Sequence, residues 1–270
     1  MRLRHALALF AAVGLVAAAS ARPAEAPPVT LRIVFPEGFS ARQMADRVSE
    51  VRKIAIRTRG VTPRLTGVAY RNAAARERAP REFRRYLKRR SVEGFLFPAL
   101  YEFTQYTRAP ELIEQQLAAF ESRWSTVDLR GARARGRTPY DVLIIASMIE
   151  RETVVPSERR LVSAVIYNRL KKGMPLAIDA TLRYGLGVPG TRPLTKRQLR
   201  TRTPYNTRLF KGLPPTPIGN PGVPSMRAAA RPAPRNYLYY VRKPRSVRHF
   251  FTADEEEFCQ KVREYGYGGC

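Results

Sequence analysis

Histidine and cysteine are nearly absent from this 270-residue chain, which has two of each. His5 lies close to the amino terminus and His249 is isolated, so no His/Cys/carboxylate cluster has the spacing of a metal site. Cys259 and Cys270 stand together at the far end. In an oxidising compartment they would close one small C-terminal loop; otherwise they remain two thiols. No glycine-rich loop stands between a strand and a helix, as phosphate or dinucleotide binding would need, and no cofactor is expected. Internal repeats and long low-complexity tracts are also missing, and a hydrophobic content of 44% argues against disorder throughout. Acidic residues are scarce as well. There are 22 of them against 49 lysines and arginines, a formal net charge of +27.

Such a surplus repels itself and is drawn to polyanions, whether nucleic acid, anionic lipid or an anionic cell wall. The arginines are scattered, as at Arg64, Arg123, Arg183 and Arg235, so an arginine-rich codon usage accounts for part of it. The first residues speak to the compartment. Arg2 and Arg4 precede an uncharged run, Ala6 to Ala19, and Ala19-Ser20-Ala21 offers a small-residue cleavage site. The run falls short of the ~20 residues of a membrane span. Residues 1–21 are therefore read as a signal peptide or a short membrane anchor. The mature protein is expected outside the cytoplasm, periplasmic or on the outer face of the cytoplasmic membrane.

Residues 22–28 are rich in proline and alanine and form a linker. Alternation over Thr30 to Phe35 predicts a strand, and Pro36-Glu37-Gly38 a turn. Ser40 is a good N-cap for a helix to about Val51 with Met44, Val48 and Val51 on one face. Residues 29–60 thus form a small strand-helix module. Residues 61–90 are weakly patterned and basic, with a helix expected from Pro80 to Lys88. At Ser91 the composition turns apolar and aromatic, and a second domain is drawn from 91 to 270. Within it, Pro110 to Trp124 carries a helical stripe at Leu112, Ile113, Gln116, Leu117 and Phe120. Asp141 to Thr153 reads as a helix stopped by Pro156. Ser157 is expected to cap the next helix, which runs to about Lys172 and ends at Gly173. The fold class is α+β.

The chemistry concentrates in TPYDVLIIASMIERETVVPSERRLVSAVIYNRL. On the first helix Ile145, Met148, Ile149 and Glu152 share a face, whereas Glu150 points elsewhere, beside Leu143, Ala146 and Ser147. Glu152 also sits in the last turn, where the helix dipole is negative. Burial and that dipole both disfavour an ionised carboxylate, so Glu152 is expected to stay protonated near neutral pH and act as a general acid. The competing reading is a glutamate paired with one of many arginines.

Six blocks in order then resemble the endolytic murein transglycosylases of the YceG-like type. SVEGFLFPALYEF is similar to that family's L-E-G-x-L-F-P-D-T-Y, and ASMIERET to A-S-I-V-E-K-E-T with its continuation ERRLVSAVIYNRLKKGMPL. AIDATLRYGLG resembles S-D-P-T-x-x-Y-G, and TPYNTRLFKGLPPTPIGNPG resembles S-P-Y-N-T-Y-x-x-x-G-L-P-P-x-P-I-x-N-P-G. SMRAAARPAPRNYLYYV and the late HFF complete the set. Ala99 and Leu100 replace the family's Asp-Thr, and Ala180 replaces the proline after the aspartate.

The resemblance implies a lytic transglycosylase that cuts MurNAc–GlcNAc bonds within peptidoglycan strands and leaves 1,6-anhydro ends. Most glycosidases use two carboxyls. Here the muramic acid C6 hydroxyl supplies the nucleophile and one glutamate serves as acid, then base. That role falls to Glu152, with Glu150 as the alternative. Asn168, Asp179, Tyr184, Tyr205 and Asn206 lie in matching blocks and are expected to contact sugar, whereas Glu93 and Glu102 are taken as structural. The resemblance also implies a LysM-like, glycan-binding character for residues 29–60. Its implied partners are peptidoglycan strands, penicillin-binding proteins and other wall-synthesis enzymes, with no nucleic acid. The rival reading is an exported basic protein that binds cell wall or polyanion without catalysis. A lysozyme-type hydrolase is a further rival, with Asp179 as its second carboxylate.

Overall fold

A computed structural model describes residues 27–87 and 90–268. The leader, residues 22–26 of the linker, and Cys270 lie outside the described residues. Along the chain the strands are β1 (Thr30–Val34), β2 (Leu100–Thr104), β3 (Tyr239–Arg242) and β4 (His249–Thr252). The helices are α1 (Ala41–Arg59), α2 (Gly67–Arg76), α3 (Ala109–Trp124), α4 (Arg130–Arg133), α5 (Pro139–Glu152) and α6 (Arg159–Lys171), then α7 (Asp179–Leu186), α8 (Lys196–Leu199), α9 (Val223–Ala230) and α10 (Glu255–Glu264). The architecture is mixed α+β with two small antiparallel sheets, β1–β2 and β3–β4.

The first unit follows from its alternation and caps. Leu31, Ile33 and Phe35 point inward, and Ser40 closes a reciprocal capping box with Gln43 at the start of α1. That helix continues past Val51 to Arg59, because Gly60 supplies the left-handed stop at φ 62°. The unit does not end at residue 60, however. β1 pairs with β2 from the SVEGFLFPALYEF block, Leu31 opposite Phe103 and Ile33 opposite Tyr101. A lone strand leaves its backbone groups unpaired, so the partner had to come from elsewhere in the chain. The boundary drawn at residue 91 therefore runs through this unit's core, which joins Leu31, Ile33, Phe35, Met44 and Val48 to Leu96, Tyr101, Phe103, Leu112 and Ile113.

The weakly patterned segment 61–90 also packs. It contains α2, whose Tyr70 is buried and stacks on Phe35. Mostly small residues face inward there, Gly67 and Ala74, which is why no stripe was visible in the sequence. The helix expected from Pro80 to Lys88 is a six-residue 3-10 turn, Arg81–Tyr86, pinned by buried Phe83 with Tyr86 packed beside it.

The second core centres on α5, in which every residue from Val142 to Ile149 is buried. A helix apolar all round belongs in an interior, and α5 is enclosed by α6, α7, α9 and the Phe83–Phe95–Phe120–Trp124 aromatic cluster. Thr138 and Asp141 form its N-terminal capping box. Ser157 does not cap the next helix. It lies in a short 3-10 turn, Pro156–Glu158, and α6 starts at Arg159. The proline-rich segment 212–222 is drawn into the same interior, and Gly94 (φ 92°) lets it approach, since a Cβ there would meet Pro217 at 2.6 Å.

Candidate active site

Glu152 is the last residue of α5, and Thr153 turns the chain out of the helix into extended geometry. Opposite it stands β3, whose Tyr240 donates its hydroxyl to Glu152 Oε2 at 2.8 Å. Burial holds the Glu152 carboxyl above the usual carboxylate range. The Tyr240 bond, His249 and the backbone N–H of Ala180 work in the other direction, and Asp179 adds to the rise. Burial wins, so the site presents a carboxyl group that keeps its proton more readily than a free glutamate. Such a group can donate a proton to a leaving oxygen and, once ionised, take one back.

The helix-face reading that separated Glu152 from Glu150 does not hold, because α5 is buried on all sides. Their partners separate them instead. Glu150 Oε2 accepts the N–H of Gly222, the residue that opens α9, at 2.9 Å, and Arg159 lies 3.8 Å from Oε1. This carboxylate is occupied in fastening the proline-rich loop to α5 and α6. Ile218 N–H reaches Ser147 Oγ at 3.0 Å in the same cause.

The remaining expected sugar contacts divide. Asp179 opens α7 and acts electrostatically on Glu152, but its Oδ1 is held by Arg208 at 2.6 Å. Tyr184 and Tyr205 are half-buried, with ring centroids 5.1 Å apart. Their hydroxyls bond Glu93 and Thr216. Asn206 is fully buried, gives both amide hydrogens to Leu199 and Thr201 carbonyls, and accepts the Arg208 N–H. With both amide hydrogens and its oxygen engaged it orders its own loop, away from any sugar contact of its own. Asn168 spends its amide hydrogens on the carbonyls of Arg235 and Tyr237, at 2.9 and 2.8 Å. Together with Arg169, which bonds Leu238 O, it anchors the segment leading into β3. Its amide hydrogens are thereby committed to this loop.

Beside the α5 terminus a cleft of about 320 Å³ opens, lined among others by Arg42, Arg151, Arg183, Tyr184 and Ile218. Glu158, His249 and Tyr240 were not singled out by sequence reasoning, nor was the polar role of Glu93. Each is a polar side chain that acquires its meaning from a partner 52 or more residues away. The only signal available was that a buried carboxylate needs a donor, and the sequence does not say which.

A model of the YceG-like family matches residues 11–264. The endolytic murein transglycosylase of Bacillus subtilis is 36% identical over 152 residues, 56% of this chain and 42% of that one. Its namesake from Streptococcus pneumoniae D39 is 24% identical over 253 residues, 88% of this chain and 45% of that one. This chain therefore spans less than half the length of these relatives. The crystal structure of a yceG-like protein from Listeria monocytogenes superposes with a TM-score of 0.71 at 27% identity, covering 84% of this chain and 74% of that one.

Proposed function

This chain belongs to the YceG-like family, and we propose that it is an endolytic lytic transglycosylase of peptidoglycan with Glu152 as its single acid and base. The observation that carries the proposal is the setting of Glu152: a carboxyl at a helix end, pushed above the usual carboxylate range by burial and bonded through Oε2 to Tyr240. Its proton passes to the glycosidic oxygen as the C1–O bond of MurNAc breaks. The resulting carboxylate takes the proton from the MurNAc C6 hydroxyl, whose oxygen attacks C1. No water is consumed, and the products are a free GlcNAc end and a 1,6-anhydro-MurNAc end.

A hydrolase would need a second carboxylate free to activate water. Asp179 is tied to Arg208 and is poorly disposed to serve. A polyanion-binding protein without catalysis would account for the charge of +27 but gives no reason for a buried acid at the end of α5. We further propose that the protein works outside the cytoplasmic membrane, on nascent strands beside the wall-synthesis enzymes. The unit of β1, α1, α2 and β2 is where a LysM-like glycan contact would lie.

Digestion of purified murein followed by mass analysis of the muropeptides tests this. Anhydro-muramic ends are expected, each 18 Da lighter than a hydrolysed end by the mass of one water, as the absence of water uptake requires. Reducing muramic ends would establish a hydrolase, and no new ends at all would leave the binding protein.

A further inference from the structure

Glu152 ends a helix, and its terminal carboxyl torsion is intrinsically broad. Something must hold the group if a proton is to leave in one direction. We propose that Tyr240 positions the Glu152 carboxyl, and that the buried Glu158–His249 pair holds Tyr240 in place. This rests on the reading of Glu152 as the acid and adds to it two positioning elements.

Tyr240 donates to Oε2 at 2.8 Å. An oxygen that accepts the phenol hydrogen bond is held in place by it, and the Ala180 N–H acts on the same carboxyl from α7. As the proton departs, the carboxylate forms and the phenol bond becomes charge-assisted, so its contribution grows toward the transition state. Tyr240 remains a neutral donor because burial and the neighbouring Glu152 push its own ionisation far up.

Behind Tyr240 stands His249, its ring perpendicular to the phenol ring with centroids 5.4 Å apart. Phe251, the partner of Tyr240 in the β3–β4 register, lies 5.7 Å away on the same hairpin. His249 is fastened twice to one carboxylate: its backbone N–H reaches Glu158 Oε1 at 3.0 Å and Nδ1 lies 2.7 Å from Oε2. A carboxylate only accepts, so Nδ1 carries the proton. Both side chains are under 10% exposed, at 8% for His249 and 6% for Glu158. Thr153, the residue after Glu152, also donates to Glu158 Oε2 at 3.3 Å. One buried carboxylate thus ties the segment that carries the acid to the strand that backs Tyr240.

The groups acting on Glu152 are Tyr240 from β3, His249 from β4, and Asp179 with the Ala180 N–H from α7; Arg151 is the charged neighbour on its own helix. Arg169 from α6 acts on Tyr240. Among these Tyr240 is the largest influence favouring the ionised acid.

The test is the pH–rate profile for strand cleavage. A general acid loses activity as pH rises through its pKa, and removing a bond to the charged form raises that pKa. Tyr240→Phe keeps the ring and its packing on His249. It is expected to lower kcat by roughly tenfold with KM little changed, and to move the alkaline limb up by about one pH unit. Glu158→Gln should move the limb in the same direction by less, and should add nothing in the Tyr240→Phe background. A limb unmoved by Tyr240→Phe overturns the role of Tyr240, and full additivity of the two variants overturns that of the buried pair. Wild-type protein that yields no anhydro ends would instead sink the functional reading itself.

Discussion

Two carboxyls raised by burial, fully buried Glu93 and half-buried Glu152, stand in contrasting hydrogen-bonding circumstances. Glu93 is 6% exposed and saturated. It accepts the Ala41 N–H at 3.0 and 3.2 Å, the Asn220 amide at 3.0 Å and the Tyr184 hydroxyl at 3.0 Å. Those donors come from the start of α1, the proline-rich loop and α7, so one carboxylate knots the strand-helix unit to the second core. Asn220 extends the knot to Leu96 N–H and Phe39 O. Glu152 accepts one side-chain hydrogen bond, from Tyr240, and is reached by the Ala180 N–H. Burial raises both carboxyls, Glu93 to about 7. Perturbation alone does not separate the two; the number of donors already on each carboxyl does. A group engaged by donors from three segments is architecture, and one held by fewer bonds can do work.

The most severe way to break this contrast is to neutralise each group in turn. Glu152→Gln should abolish strand cleavage, a loss of ~10²–10⁴ or more because one residue serves both proton transfers. Glu93→Gln should retain most of the activity. Murein digestion of both variants side by side checks this, and equal losses would dissolve the distinction.

Stability against pH sharpens the contrast from the other side. The folded-state pKa of Glu93 is raised from 4.5 to about 7, so the folded protein binds the proton more tightly than the unfolded chain between those values. That contribution is fully present below about 4.5 and is lost as pH rises to about 7, on the order of 3 kcal/mol. Denaturant unfolding at pH 5 and pH 8 should show the decline in wild-type protein and a flatter one in Glu93→Gln.

Asn206→Ala should cost about 1–3 kcal/mol of stability by stranding the buried carbonyls it serves. The affinity for glycan should hardly move, and a large change in KM at unchanged stability would restore Asn206 as a sugar contact. The smallest effect is expected from Glu150→Gln, whose amide oxygen can still accept the Gly222 N–H. Cleavage should fall by less than about tenfold, or roughly 1.4 kcal/mol. A dead Glu150→Gln variant would transfer the catalytic role to Glu150.

Much of the local structure was legible before any coordinates. The cap at Ser40, the stripe of α3, the stop at Gly173 and the strand over Thr30 to Phe35 rest on interactions within a few residues, which the order of side chains states directly. The partner of β1 was not legible, since the two paired strands lie 70 residues apart at Arg32 and Glu102. Small inward-facing side chains hid α2, and the burial of α5 on every side left no face by which to sort Glu150 from Glu152.

The sequence by itself determined an α+β chain, a helix that ends on two close glutamates and the run of blocks that led to the family. Only the tertiary structure decided that Glu150 is engaged by Gly222 and Arg159, that Asn168 and Asn206 fasten loops, and that Tyr240, His249 and Glu158 close around the acid. The reason is physical. Caps and periodicity are set by neighbours along the chain, whereas the partners of a buried polar group are set by whichever distant segments packing brings within 3 Å, and pairing through space leaves no mark on spacing.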